Sequence, residues 1–468
     1  MNAAPSLKRQ LGLSAVVALV VGNMLGSGVF FTPGELAAVT QHPWQVHFIW
    51  ALCGLITLCG ALTLAELCRL LPQAGATYHV LREGFGPFWG FLLVWMELWV
   101  SGPGAVAGIA IVFGEFMQRV VGAQVAIAPA WWGAMAIAGF AAVNVAGVMW
   151  GARVQVVMTT AKIVGLVALI GGALWLAPPA VASAAVNAAA SGAAEGVGAT
   201  AGASVADSVL GFFRFAGLGV AAVLFTYDGW IDVSHVAGEV RRPERDLPLG
   251  LALGVGALTL LYLLVNAAYL RVVPLDVMRA APTTVASTVA TAAYGPKGGA
   301  LLDLLMVLSI FGALGGLVMT LPRLFYTMAA EQTDGARGPL RWFFARLGRV
   351  APRTATPNGA ILFTALTSIA ALFFFGSFAR LVNFFLVPFQ LMNILIVAAI
   401  FRLRPRLGRS AGYRTPGYPL TPLVYIVVML AFLVSAVVAH PFDTVVGTAL
   451  ALTGAPVHWL LTRRPVPS

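Results

Sequence analysis

Charge is what this chain has least of: Asp, Glu, Lys and Arg together make up 10% of its 468 residues. Soluble domains carry about 25%, so a water-exposed globule is excluded. With 60% hydrophobic residues the chain is expected to cross a bilayer many times. Acids are scarcer than bases, 17 against 28. Cysteine is rarer still. Cys53, Cys59 and Cys68 all fall in one apolar run, which leaves no disulfide framework and fixes no redox compartment. The six His and three Cys form no metal-spaced cluster, and there is no Ser/His/Asp set and no phosphate loop. No enzyme chemistry, cofactor or metal is expected, and no polar stretch is long enough to fold as a soluble domain.

What is present is apolar sequence in long runs. Twelve of them, near 11–38, 44–70, 88–117, 129–149, 154–177, 209–237, 248–270, 298–328, 357–376, 380–402, 420–439 and 441–461, approach or exceed the roughly 20 residues that cross a bilayer. The first lacks a small-residue cleavage site and reads as a retained span, not a signal peptide. With the N-terminus in the cytosol, the inner loops hold twenty-one Lys and Arg, among them Arg337, Arg409, Arg463 and Arg464. Five fall outside: Arg119, Arg271, Arg279, Lys297 and Arg380. This positive-inside bias accounts for the net charge of +11 without nucleic acid. It places both termini in the cytoplasm of a cell (inner or plasma) membrane protein. Pro72 to Tyr78 leads into a short amphipathic piece ending at Gly86-Pro87, expected as a re-entry element. Residues 178–206, rich in Ala, Gly, Ser and Val, are expected as a mobile external loop. The connector 272–296 is a candidate lid over an outer vestibule.

Two of the runs are interrupted. Gly26-Ser27-Gly28, with Pro33 a turn later, are poor residues for a helix interior, yet they lie at membrane depth. Backbone leaves helical geometry there only where protein or a cavity satisfies it. Met24–Gly28 is therefore expected as an unwound joint between two half-helices. Phe225-Thr226-Tyr227-Asp228-Gly229-Trp230 repeats that logic in the sixth run. Interruptions at matching places in successive five-span units point to an inverted-repeat transporter. The half-helix starting near Ser27 offers N–H groups and a partial positive charge to a carboxylate. Carbonyls near Met24 and Phe225 suit an ammonium. A free α-amino acid carries both groups. The plainer alternative is that the glycines only permit close helix packing.

Lys162 lies deep in the fifth span, where an ammonium is costly and marks function by default. It is expected to act as a fixed cation in place of sodium, bonded to carbonyls around Gly22 and to the Ser309 hydroxyl; snorkelling to the inner surface is the alternative. Phe225 is a candidate gate or a core aromatic. Asp228 is expected to cap the half-helix that starts at Gly229, in preference to touching substrate. Glu66 is placed to pair with the basic inner loops, whereas Glu97 has no evident partner. Asn23, Asn266, Asn383, Asn393 and Asp303 are expected in interhelical hydrogen bonds. Glu239, Arg241, Arg242, Glu244, Arg245 and Asp246 form an inner charge cluster, solvated or bracing a gate.

Gly26-Ser27-Gly28-Val29-Phe30 with Thr32-Pro33 resembles the first-helix motif of the amino acid–polyamine–organocation permease superfamily. Phe225 to Trp230, with Gly238-Glu239-Val240 and Pro243-Glu244-Arg245, is similar to the sixth-helix motif of its L-type and cationic amino acid transporter branches. Pro72, Gly75, Tyr78 and Lys162 fit as well; the last four spans agree by pattern only. The resemblance implies an all-α, leucine-transporter-like five-plus-five inverted repeat of about twelve helices with helices 1 and 6 discontinuous. The repeats would be 1–177 and 207–402, separated by loop 178–206, with 403–468 carrying the last two helices and the C-terminus. By position, Ser27 and Gly28 would bind the carboxylate, with Gly26 also in the substrate site. Carbonyls of Met24, Phe225, Thr226 and Asp228 would take the ammonium, Phe225 would gate, and Lys162 with Gly22 and Ser309 would replace a sodium site. Ile231 departs from the polar residue of several L-type members. No Cys is available in the outer loop for a disulfide-linked companion subunit.

The expected function is sodium-independent amino acid transport by alternating access, as an exchanger or a proton symporter, with a proton or a counter-transported amino acid as the coupled solute. Thr226 and Ile231 suggest a neutral substrate side chain, and Asp228 leaves a cationic one open. A polyamine or amine carrier and a transporter-derived nutrient sensor are the alternatives.

Overall fold

The computed structural model describes residues 7–122, 125, 127–177, 220–333, 336, 338–375, 378–407, 412–439 and 441–462. Loop 178–206, the start of the sixth run and Arg337, Arg409, Arg463 and Arg464 lie outside them, as do the side chains of Arg380 and Asn383. Apart from one isolated bridge between Leu11 and Val240, the described residues are helices and their connectors.

The first span is two helices, α1 (Leu13–Met24) and α2 (Gly28–Ala37), bent by 43° at the break between them. Helices α3 (Pro43–Leu70), α4 (Ala76–Phe85), α5 (Pro87–Met96), α6 (Gly102–Val121), α7 (Pro129–Ala146) and α8 (Val148–Gly171) follow. The third span joins α5 to α6 through a π-helical turn, Glu97–Ser101. The sixth resumes as α9 (Val220–Thr226), breaks at Tyr227–Gly229, and continues as ten residues of 3-10 helix, Trp230–Glu239. After it come α10 (Pro243–Val272), α11 (Leu275–Ala280), α12 (Val285–Tyr294), α13 (Gly298–Gln332), α14 (Gly338–Leu347), α15 (Asn358–Phe375), α16 (Phe378–Ala398), α17 (Ile400–Leu407), α18 (Leu420–Ala439), α19 (Pro441–Leu452) and α20 (Gly454–Thr462).

Among the described residues nine helices are long and apolar enough to cross a membrane, and the bent pair α1–α2 makes a tenth. The other two expected spans fall outside that count for visible reasons. The sixth is described only from Val220 and is interrupted, and α15 is slightly short.

Small residues let the helices around the break close up, as expected where no hydrophobic force drives association. Gly250 and Gly254 of α10 lie against α1, where a Cβ on either would meet Val16 or Val20 at 2.3 and 2.6 Å. The connector 272–296 folds as α11 and α12 and docks on the C-terminal end of α2. Arg279 donates to the Ala37 and Thr40 carbonyls at 3.2 and 2.9 Å, and Gly34 packs against the Pro282 backbone.

Two expectations about polar residues are corrected. Asn266 and Asn393 bond within their own helices, to Tyr262 O at 2.7 Å and Gln390 Oε1 at 3.3 Å, since an amide one turn back is nearer than any neighbouring helix. Glu66 pairs as expected: its carboxylate accepts from Thr415 N–H and Oγ1 at 2.6 and 2.7 Å and lies 3.5 Å from Arg404.

Candidate functional site

The break in the first span begins where the α1 ladder ends, with Leu25 N–H bonded to Val21 O at 2.8 Å. The carbonyls beyond it have no helical donors, and side chains from three other helices take them up. Lys162 of α8, fully buried, donates to Gly22 O at 2.8 Å and Leu25 O at 2.9 Å. Ser309 of α13 donates to Leu25 O or Gly26 O, at 3.1 and 3.0 Å. Tyr262 of α10 faces Met24 O at 3.0 Å and Thr226 O at 3.4 Å, so one hydroxyl spans both breaks. Thr159 donates to Ala18 O at 2.9 Å, one turn below. Lys162 thus does not snorkel. Nor does it bond the Ser309 hydroxyl, as expected from sequence; both are donors and they share the Leu25 carbonyl instead.

Glycine makes room for this packing. A Cβ on Gly312 would stand 2.9 Å from Lys162 Nζ, and one on Gly28 would meet Thr226 Oγ1 at 2.5 Å. At the second break Gly229 takes φ +98°, a left-handed conformation that favours glycine, and lies against the Asn23 backbone.

Above the breaks lies a cavity of about 690 Å³, within the range of small-molecule sites. Met24, Gly26, Ser27, Gly28, Phe225, Thr226 and Asp228 all line it; Gly22, Lys162 and Ser309 stand behind the break and do not. Phe225 is 37% exposed there, so it is not a core aromatic. The Thr226 hydroxyl shares a hydrogen bond with Thr32 at 2.8 Å. The first-turn N–H groups of α2 start at this wall, where a helix leaves its leading donors unused.

Three expectations change here. Asp228 is not confined to the helix start: its carboxylate accepts from the N–H of Gly229, the N-cap residue, and it lines the cavity as well. Ile231 is buried away from the cavity, and Asp232 joins the lining in its stead. Asn23 does more than tie helices together: its amide donates to Asp232 Oδ2 at 2.9 Å while facing the same space. Glu97 and Ser101, on the π turn, also line it, as does the exposed Glu35 of α2. Sequence reasoning passed over Asp232 and Tyr262. The signal for Asp232 was a second acid four residues after the first in an apolar run; nothing local marked Tyr262.

Residues 11–460 match the amino acid permease family. The chain belongs to that family. Among this permease's relatives is the serine/threonine exchanger SteT of Bacillus subtilis (strain 168), 29% identical over 460 residues that cover 98% of both chains. The b(0,+)-type amino acid transporter 1 of Mus musculus is 28% identical, over 93% of this chain and 84% of its own. The cystine/glutamate transporter of Homo sapiens is 27% identical, over 97% and 85%. The chain is thus a multispanning amino acid transporter of the L-type and cationic branches, and a permease in place of an enzyme.

At the end of the sixth span away from the cavity the packing is close. Glu239 and Arg323, both fully buried, pair at 2.7 Å, so the inner charge cluster is not simply solvated. The loop at Pro72–Tyr78 is fixed beneath the 3-10 segment, with Gly75 N–H on His235 O at 2.8 Å and Thr327 Oγ1 on Ala74 O at 2.9 Å. Gly75 holds φ +62° at this contact. Tyr78 donates to Glu331 at 2.7 Å, and Arg82 pairs with the same carboxylate. Gln10 and Leu11 N–H both point to Glu239 O, at 2.8 and 2.9 Å, pinning the N-terminal segment onto the same end of the sixth span.

Proposed function

We propose that this permease carries α-amino acids across the cell membrane by alternating access, without sodium, as an exchanger or proton symporter. The observation that carries the reading is the cavity seated on both breaks, lined by the start of α2 at Gly26–Gly28 and by Met24, Phe225, Thr226 and Asp228. The α-carboxylate binds the first-turn N–H groups of α2 and the Ser27 hydroxyl, at Gly26–Gly28. The α-ammonium lies toward the carbonyls of Met24, Phe225, Thr226 and Asp228, and Phe225 closes over the substrate. Lys162, bonded to the Gly22 and Leu25 carbonyls, supplies the charge that a sodium ion would otherwise bring to the break. Ser309 completes that bracing through the Leu25 and Gly26 carbonyls.

The buried Glu239–Arg323 pair and the docked 72–78 loop close the inner side, while the cavity extends along α2 to exposed Glu35, so the conformation described is outward-facing. Exchange gains support from the relative named as a serine/threonine exchanger. The termini are cytoplasmic, and repeats at 1–177 and 207–402 invert across the bilayer. Uptake of a radiolabelled amino acid panel into proteoliposomes, with sodium and pH gradients imposed separately, tests this. Transport that ignores sodium and rises with internal amino acid or an inward proton gradient is expected. Strict sodium dependence, or uptake of amines regardless of an α-carboxylate, would overturn it in favour of a different carrier.

A further inference from the structure

A second space, sharing no lining residue with the cavity, lies between the start of α1 and the first turns of α8. It is a groove of about 520 Å³, lined by apolar Met149, Ala152 and Val156 and by two guanidinium groups, Arg153 of α8 and Arg241 just after the 3-10 segment. Arg241 is held there by its main chain, whose N–H donates to Leu11 O at 2.8 Å. Both arginines are exposed, and neither takes part in an ion pair among the described residues. No Asp or Glu is among the described residues lining the groove. Two like charges that share one concave surface repel, and an anion between them offsets that cost.

The residues of α8 set this groove at the edge of the bilayer. Trp150, 58% exposed, precedes Arg153 by one turn, and the Arg153 guanidinium lies 5.4 Å from its ring. Exposed Trp on a membrane helix marks the headgroup level, and an arginine beside it keeps its charge in the interface. From Arg153 the exposed residues of α8 continue at helical spacing as Val157, Thr160, Val164 and Val167. Arg153 to Val164 spans roughly 16 Å at 1.5 Å per residue, about half of a hydrocarbon core some 30 Å thick. A lipid-facing stripe thus runs from the guanidinium through the depth of one leaflet. Gln10 and Ser14 add an amide and a hydroxyl to the charged end of the same groove.

We infer that this groove binds an anionic phospholipid from the leaflet on the Arg-rich side. Arg153 and Arg241 hold the phosphate, Gln10 and Ser14 donate to the headgroup, and an acyl chain lies along Val156, Val157 and Val164. Planar guanidinium groups match the paired oxygens of a phosphate, and basic pockets between spans suit such headgroups. The apolar stripe favours a lipid over free phosphate, which would leave it uncovered. Bound lipid also joins α8 to the end of the sixth span, because Arg241 N–H bonds to Leu11 O and Leu11 N–H to Glu239 O. The headgroup therefore steadies the packing around the Glu239–Arg323 pair. The inference goes beyond the transport reading and does not depend on it.

The test places the full chain in nanodiscs that mix phosphatidylcholine with phosphatidylglycerol of the same acyl chains, and native mass spectrometry reads which lipid stays bound. The wild type is expected to retain phosphatidylglycerol preferentially. Arg153→Gln combined with Arg241→Gln should cut that preference about twenty-five-fold, at about fivefold for each charge. Arg242→Gln combined with Arg245→Gln removes two exposed charges that do not line the groove, and should leave the preference intact. Equal loss in both pairs would overturn the inference, because lipid would then follow surface charge alone. So would a wild type without preference, or thermal stabilisation by inorganic phosphate as large as that by phosphatidylglycerol, the mark of a free-anion site. If the first pair fails to fold, Val156→Trp decides, since it fills the groove and keeps both arginines: lowered retention of phosphatidylglycerol supports the site, and undiminished retention contradicts it.

Discussion

The two breaks look alike in sequence and are built differently. At the first, the carbonyls of Gly22, Met24, Leu25 and Gly26 are taken up by Lys162, Tyr262 and Ser309, donors from three separate helices. At the second, Gly229 turns the chain in a left-handed conformation, ten residues of 3-10 helix follow, and Asp228 and Asp232 face the cavity. A 3-10 run longer than three or four residues is uncommon and often marks a hinge. The first break is therefore a braced shelf, and the second couples the substrate wall to an element able to move. That element ends at Glu239, locked to Arg323, so cavity and inner seal belong to one segment.

This contrast breaks most severely at Lys162. Lys162→Met removes the donor from the buried Gly22 carbonyl, at about 1–3 kcal/mol when left unpaired, and leaves Leu25 O to Ser309 alone. Uptake should fall to background, with a lowered melting temperature in a thermal-shift assay. Next comes Glu239→Ala, which leaves Arg323 buried without its partner at a cost of about 3–5 kcal/mol. If the second break is the mobile one, this variant should favour the inner-open form, seen as faster labelling of a cysteine placed on the inner cavity wall. Gly316→Ala should have an intermediate effect. Its Cβ would stand 1.6 Å from Asn23 Oδ1, displacing the amide that holds Asp232, an overpacking worth about 1–3 kcal/mol and a severalfold rise in KM. The smallest effect is expected from Tyr262→Phe, which removes one bridging hydroxyl and weakens substrate binding by about fivefold, near 1 kcal/mol. Should it instead match Lys162→Met, the two breaks are braced equally and the contrast fails.

Much of this was readable from composition and punctuation. Gly26-Ser27-Gly28 and Asp228-Gly229 announced both breaks because glycine and an acid at membrane depth have few other uses. The ten substrate and coupling residues expected from the motifs sort into a cavity wall and a brace behind it. What escaped was whatever depends on partners distant in sequence. Tyr262 lies in a run with no local irregularity to flag it, Asp232 had only its spacing from Asp228, and the π turn at Glu97 depends on Gly102 accepting a close carbonyl. Asp228 was legible only in part, because a carboxylate before a glycine looks like a cap and nothing more. In three dimensions it accepts from Gly229 N–H and lines the cavity too.

The central claim is that interrupted main chain holds both charged groups of an α-amino acid. The most direct test is competition in proteoliposomes between one transported amino acid, the amine left when its carboxylate is removed, and the acid left when its ammonium is removed. The account predicts that both analogues compete at least about a hundredfold more weakly, near 2.7 kcal/mol. An amine that competes as well as its parent amino acid would show that the start of α2 holds no carboxylate, and would contradict it.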